Sequence, residues 1–257
     1  MIQAVILCGG RGTRLREETE FRPKPLVTIG DRPILWHIMQ LYRSYGVRDF
    51  VLCLGYKGEL IRDYFLNYRR HMSDIEVNLA DGSVTFLAEN TLDWRVRLIE
   101  TGVETLTGAR IRCVAPYLAG ECCFVTYGDG LADIDIAALL AFHRSAGKLA
   151  TVTAVRPPSR FGEISMEGQL VRSFIEKPQT GAGWINGGFM VFQRTAIAEL
   201  PDAQDLSLEV DVLEHLAKRD ELAVFTHEGF WQCMDTFREM EMLERLWRSG
   251  TAPWKTW

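Results

Sequence analysis

No stretch of the 257-residue chain stays apolar long enough to cross a bilayer. No cationic segment precedes an apolar core at its start, and the first apolar run goes straight into glycine without a small-residue cleavage site. A cytoplasmic protein with no membrane partner is expected. The six cysteines (Cys8, Cys53, Cys113, Cys122, Cys123 and Cys233) form no C-x-x-C pair and have no spacing with histidine suited to zinc. Most lie in apolar runs and read as small buried hydrophobes in a reducing compartment. Basic residues are not in excess: the formal net charge of −5 argues against a nucleic-acid surface. His37, His71, His143, His215 and His227 are scattered, and none is assigned to catalysis. Internal repeats, low-complexity tracts and long linkers are also missing. One domain over residues 1–257 is therefore expected, with the 47% apolar content needed for a well-buried core.

The residues present alternate between two periodicities. Residues 2–8 (IQAVILC) are a continuous apolar run closed by glycine, the signature of a parallel strand buried on both faces. "DRPILWHIMQLYRSYG" reads as a helix with Pro33 in its first turn and Gly46 at its end. "DFVLCLGY" is a second buried strand, and "KGELIRDYFLNYRR" has helical spacing. This β-α-β-α order predicts an α/β, Rossmann-like fold with a predominantly parallel central sheet flanked by helices. Residues 75–101 break the rhythm with three strand-like segments and no helix, and are expected to form a small β-rich excursion from that sheet. A helix near 107–118, the strand "CCFVTYGDG", the helix "DIAALLAFHRSAG" and the strand "LATVTAV" restore it. From about residue 150 the chain is more β-rich, with Gly and Pro turns, and it ends in the amphipathic helix "TFREMEMLERLWRSG".

"LCGGRGTRL" follows the first strand, and glycines with arginines there announce a phosphate. A dinucleotide loop needs G-x-G-x-x-G and a carboxylate after the second strand; here Gly10 and Gly12 are followed by Leu15, and the second strand ends in "LGYKG". A P-loop needs Gly-Lys-Ser/Thr, which is also missing. What remains is a loop whose Gly9, Gly10 and Gly12 give clearance to a ligand, with Arg11 and Arg14 in it and "RPKPL" ten residues on. Pro23 and Pro25 restrict the backbone on both sides of Lys24. Arg14 and Lys24 thus read as two cations of a polyphosphate clamp.

"AVILCGGRGTRL", "RPKPLV", "GDRPILWHIM", "TYGDGLAD", "FIEKP", "INGGF", "GFWQCMDT" and "APWKTW" together resemble the sugar-1-phosphate nucleotidyltransferases, from end to end and in the same order. Within them the match is nearest to the cytidylyl branch that acts on glucose 1-phosphate. The resemblance implies CTP and glucose 1-phosphate as substrates, Mg²⁺ as cofactor, CDP-glucose and pyrophosphate as products, and a homo-oligomer. The implied step is attack by a sugar-phosphate oxygen on the α-phosphorus of the nucleotide, which calls for positioning and charge neutralisation more than for a base.

The resemblance assigns Arg14, Lys24 and Asp129 to catalysis and the metal to Asp129 and Asp235. Asp129 stands at the carboxyl end of a central strand, where open α/β sheets bind ligands; read alone it is a turn residue, and Asp235 a helix N-cap. The nucleotide is expected against Leu7, Cys8, Gly9, Gly10, Arg11, Gly12, Thr13 and Gly128, and against Thr105, Thr107, Gly108 and Arg110 of "TLTGARIR". The family's usual two glycines stand here as Gly108-Ala109. For the sugar phosphate the matching residues are Arg160 and Gly162, Glu176 and Lys177, and Asn186 and Gly187. Three other readings stay open: the same chemistry with UTP or dTTP or another sugar phosphate, a non-catalytic sugar-nucleotide regulator, and, weakest, a glycosyltransferase using Asp133-x-Asp135, a pair better explained by capping.

Overall fold

The run Gln3–Leu7 forms strand β1, every residue of it buried. In the computed structural model the described residues are 2–87, 92–157 and 183–257, with the backbone alone of 163–167 and 170–175. After β1 the chain makes a 3-10 turn (Thr13–Leu15), the short helix α1 (Arg16–Thr19), a second 3-10 turn (Lys24–Leu26) and the paired strands β2 (Thr28–Ile29) and β3 (Arg32–Pro33). Helix α2 (Ile34–Ser44) begins one residue after Pro33, which is extended with ψ 148° and paired to Thr28. Pro33 therefore precedes the helix rather than occupying its first turn. There follow β4 (Asp49–Leu54), α3 (Gly58–Leu66), α4 (Tyr68–Met72), β5 (Ile75–Val77), β6 (Val84–Phe86) and β7 (Arg95–Glu100). The middle of the chain forms α5 (Thr107–Val114), β8 (Cys122–Tyr127), β9 (Gly130–Ala132), α6 (Ile136–Ala146) and β10 (Ala150–Val155). The remainder comprises β11 (Glu163–Glu167), β12 (Leu170–Ile175), β13 (Ile185–Gln193), α7 (Arg194–Ala198), a π-helical turn (Leu208–Leu213), α8 (Glu214–Lys218), β14 (Leu222–His227), β15 (Trp231–Cys233) and α9 (Phe237–Arg248).

The central sheet has seven strands in the order β14-β10-β13-β8-β1-β4-β7. Neighbours run parallel except where β13 lies antiparallel to β10 and β8. This is the mostly parallel, helix-flanked sheet expected. The excursion is smaller than expected: β5 and β6 form a separate antiparallel hairpin, but β7 rejoins the sheet as an edge strand parallel to β4. The crossover from β4 to β7 thus carries this hairpin in addition to its helices α3 and α4. Two arginines of β7, Arg95 and Arg97, reach the buried Asp49 at 3.5 and 3.6 Å.

Alternation along the strands divides the core in two. Ala4 and Ile6 of β1 pack with Phe50, Leu52 and Phe124 against α2, α6 and α9, whereas Val5 and Leu7 pack with Val51, Cys53 and Val125 against α5, α7 and α8. The C-terminal tryptophans bury against this same chain. Trp254 is fully enclosed, and its indole N–H donates to His37 Nδ1 of α2 at 3.4 Å. No helix among the described residues is long and apolar enough to cross a membrane.

Candidate active site

The loops at the carboxyl ends of β1, β7 and β8 meet over a cavity of about 560 Å³. Its floor and one wall come from the glycine loop, from Leu7 to Arg14, with Lys24 and Pro25 beside it. Thr105, Thr107 and Arg110 form a second wall, and Tyr127, Gly128, Asp129 and Asp235 a third. Gly12 is left-handed, at φ 61°, which turns the loop back under the cavity. A Cβ there would lie 2.8 Å from Thr19 Cγ2 and 3.2 Å from Lys24 Cβ, so the bare glycine also lets Lys24 approach. Cys8 lines the cavity but is buried, and burial pushes its thiol well above the ordinary range, the state of a packed rather than a reactive cysteine.

Charges of both signs converge at the mouth of the loop. Lys24 is buried between the two aspartates, with Nζ donating to Asp129 at 2.6 Å and to Asp235. Burial pulls the Lys24 pKa down, but the charge of Asp129 and the hydrogen bonds to both carboxylates outweigh it and hold the ammonium above its ordinary value. Arg14 reaches the other oxygen of Asp235 at 2.7 Å. Arg11 points across the cavity to Glu104.

Two local structures free these carboxylates for the site. Asp129 lies in the turn between β8 and β9, and its carbonyl accepts from Met234 N at 2.8 Å. Asp235 does not cap α9, contrary to the local reading of that residue. Thr236 does, in a capping box with Glu239, whose carboxylate also accepts from Asp235 N at 2.7 Å. The oxygens of Asp129 and Asp235 therefore converge on one position, now filled by an ammonium. Two convergent carboxylates, all hard oxygen donors, fit a Mg²⁺ ion that takes its other ligands from water and phosphate. Among the described residues no group of three or more His, Cys, Asp or Glu gathers for a metal.

Arg110 is buried beneath the glycine loop. Nη1 donates to Leu54 O at 3.0 Å and Thr101 Oγ1 at 2.6 Å, and Nη2 donates to Gly9 O and Val103 O at 3.2 Å each. Burial lowers its pKa. One guanidinium thus ties together the loops after β1, β4 and β7. A Cβ on Gly9 would fall 2.0 Å from Nη1, so Gly9 and Arg110 require one another.

Gly108 is not among the residues lining the cavity. A Cβ there would meet Leu206 O at 2.9 Å and Leu208 N at 3.0 Å, so its bareness serves the packing of α5 against residues 206–208. Asn186 and Gly187 lie beside the cavity rather than in its lining: Asn186 Nδ2 donates to Tyr127 OH at 3.5 Å, and Gly187 O accepts from Trp231 Nε1 at 2.8 Å. Arg160, Gly162, Glu176 and Lys177 lie outside the described residues. Asp135 caps α6 through Ala138 N at 2.8 Å, as capping required, while Asp133 instead pairs with His227 at 2.9 Å.

Sequence reasoning missed Glu104, Tyr127 and Glu209, which line the same cavity. Tyr127 stands inside the quoted "TYGDG", beside Gly128 and Asp129, and that proximity was the available signal. Glu209 had only its place near the start of a helix that the sequence predicts over about 207–218.

A glycine loop backed by cations, facing two carboxylates at the carboxyl edge of a mostly parallel sheet, defines a site for transfer onto or from a nucleotide. The chain belongs to the nucleotidyl transferase family, whose match spans residues 3–239. It is 48% identical over 257 residues to the glucose-1-phosphate cytidylyltransferase of Salmonella typhi, with 100% of both chains covered. It is 42% identical over 256 residues to the probable glucose-1-phosphate cytidylyltransferase of Bacillus subtilis, again covering 100% of each. The solved structure of HddC from Yersinia pseudotuberculosis shares the fold, with a TM-score of 0.70 over 96% of this chain and 100% of its own at 22% identity.

Proposed function

We propose that the chain, acting as one catalytic domain, converts CTP and α-D-glucose 1-phosphate to CDP-glucose and pyrophosphate. The observation that carries this reading is the pairing of Lys24 and Arg14 with Asp129 and Asp235 at the open end of the glycine loop. The full-length identity to two cytidylyltransferases supports the choice of substrates. In this reading the loop from Gly9 to Thr13 receives the triphosphate, with Thr105, Thr107 and Arg110 on the side of the base. Arg14 and Lys24 stabilise the negative charge that grows on the departing pyrophosphate. A sugar-phosphate oxygen forms the new bond to the α-phosphorus as the bond from that phosphorus to the bridging oxygen of pyrophosphate breaks. No general base is needed, because a phosphate monoester is already largely dianionic at neutral pH. Asp129 and Asp235 are the residues that would hold Mg²⁺, which when bound supplies charge neutralisation on the phosphoryl oxygens. Arg160, Gly162, Glu176, Lys177, Asn186 and Gly187 complete the sugar side. A homo-oligomer belongs to the same reading, and the exposed Leu79 and Leu87, in and just after the β5–β6 hairpin, offer it apolar surface.

Pyrophosphate release with glucose 1-phosphate and Mg²⁺, run in parallel with CTP, UTP, dTTP and ATP, tests the reading. Release with CTP above the others is expected. No release with any nucleotide would remove the enzyme, and a preference for UTP or dTTP would remove the cytidylyl assignment. Asp129→Asn is expected to fold and to lose turnover by orders of magnitude, whereas near-normal rates with Mg²⁺ would make Asp129 a turn residue only.

A further inference from the structure

Among the described residues, the charged side chains lining the cavity pair with one another except for Arg110, which is held by carbonyl and threonine oxygens, and Glu209. Arg11 meets Glu104, and Lys24 and Arg14 neutralise Asp129 and Asp235. The hydrogen-bond partners of Glu209 are hydroxyls instead: Oε1 accepts from Tyr127 at 2.5 Å, and Oε2 from Thr107 at 2.9 Å and from Ser207 at 3.1 Å. Burial pushes the Glu209 carboxyl up, but the bond from Tyr127, followed by those from its own backbone, Thr107 and Ser207, outweighs it and leaves an anion.

The backbone fixes this carboxylate from one side. Leu106 N donates to Gln204 O at 2.9 Å, Ala109 N to Leu206 O at 3.0 Å, and Leu208 N to Thr107 Oγ1 at 3.0 Å. These bonds, with the missing side chain of Gly108, strap the π-helical turn onto the start of α5. Tyr127 is fixed from the other side. Its ring lies over Gly188, where a Cβ would come within 2.5 Å of Tyr127 Cδ2, and its hydroxyl receives Asn186 Nδ2 at 3.5 Å. One carboxylate thereby joins Thr107, on the nucleotide wall, to Tyr127 and Asn186, on the sugar side.

We propose that Glu209 is a positioning residue: it locks Tyr127 and Thr107 into one frame and so sets the separation of the two substrates. This rests on the two-substrate reading above. Hydroxyls that donate to a carboxylate form stronger bonds than neutral pairs do, and an ångström of misplacement between reactants slows reaction steeply.

The test compares Glu209→Ala, Tyr127→Phe and the double variant in the full-length chain, by steady-state kinetics with both substrates. Each single variant is expected to raise KM for glucose 1-phosphate and lower kcat, with a combined loss of about tenfold or more. The double variant is expected to be no worse than Glu209→Ala, because the two side chains act through one another. The CTP Kd of Tyr127→Phe, measured by calorimetry without the sugar phosphate, stays within about threefold of wild type. Glu209→Gln, which keeps an acceptor for Tyr127, recovers part of the loss. Losses that multiply in the double variant would overturn the frame, as would a Tyr127→Phe enzyme equal to wild type in kcat and KM. If Glu209→Ala does not fold, Tyr127→Phe, which loses one hydroxyl, decides alone. A wild type inactive with every nucleotide overturns both the reaction and the frame, while an active wild type matched by its variants overturns the frame alone.

Discussion

Lys24→Met keeps an unbranched stem in the channel between Asp129 and Asp235 and removes the ammonium. In the native chain two cations, Lys24 and Arg14, balance two carboxylates. The variant leaves Asp129 without its cation and Asp235 with Arg14 alone. Removing one partner of a buried pair costs roughly 3–5 kcal/mol. The Asp129 side chain is 29% exposed and that of Asp235 12%, so water restores part of the loss. A destabilisation of about 2 kcal/mol is therefore expected. On the reaction, one missing donor to the developing charge lowers kcat by about 10²–10³. The same geometry predicts a third effect without any nucleotide. An ammonium and a divalent ion compete for the same oxygens, so Mg²⁺ alone should raise the Tm of the variant more than that of wild type. Urea unfolding and scanning calorimetry, each with and without Mg²⁺ and alongside pyrophosphate release, read all three. A variant as stable as wild type, with the same response to Mg²⁺ and near-normal turnover, would refute the clamp and leave Lys24 a bystander.

Three further outcomes follow from single contacts. Gly9→Ala drives a methyl into the Arg110 guanidinium, which four oxygens hold in place; a stability loss of about 2–3 kcal/mol in urea unfolding is expected, with weaker CTP binding by calorimetry. Burial lowers the His37 pKa from 6.5 to about 4, with the neutral ring donating to Ile29 O at 2.9 Å. Because the folded value is depressed, this contribution is whole above pH 6.5 and is lost as the pH falls through about 4, by roughly 3 kcal/mol; His37→Gln should flatten that part of the stability–pH curve, and an unchanged slope would exclude His37 as its source. Trp254→Ala removes a fully buried indole and should cost about 3–5 kcal/mol. That loss should not vary with protein concentration, since Trp254 packs on its own chain; a concentration-dependent loss would point to a neighbouring chain instead.

What the sequence discloses is what short-range chemistry determines. A continuous apolar run ending in glycine has few folds open to it, and β1 with its loop follows from that run alone. Lys24 between two prolines is legible for the same reason. Gly108 is less legible, because a bare glycine beside a ligand wall and a bare glycine under a crossing strap look alike in sequence; the approach of Leu206 and Leu208 shows the second role. β7 misled because the β5–β6 hairpin comes between it and the crossover helices α3 and α4, and the alternating arginines of an edge strand resemble those of an outlying one.

The two carboxylates show where the limit lies. Asp129 as a turn residue and Asp235 beside a helix start are both legible, and neither reading says that the two meet. Their meeting depends on the register of β15 against β9, with Cys233 opposite Gly130 and Met234 N on Asp129 O. A slip of one residue would turn each side chain of β15 to the opposite face. It would put the amide of Gln232 where Trp231 now packs and carry Asp235 away from Lys24. Trp231, held by its indole N–H on Gly187 O at 2.8 Å and enclosed in the core, opposes that slip. The aromatic in "GFWQCMDT" therefore belongs to the site as much as the aspartate does, since the one fixes the register that delivers the other.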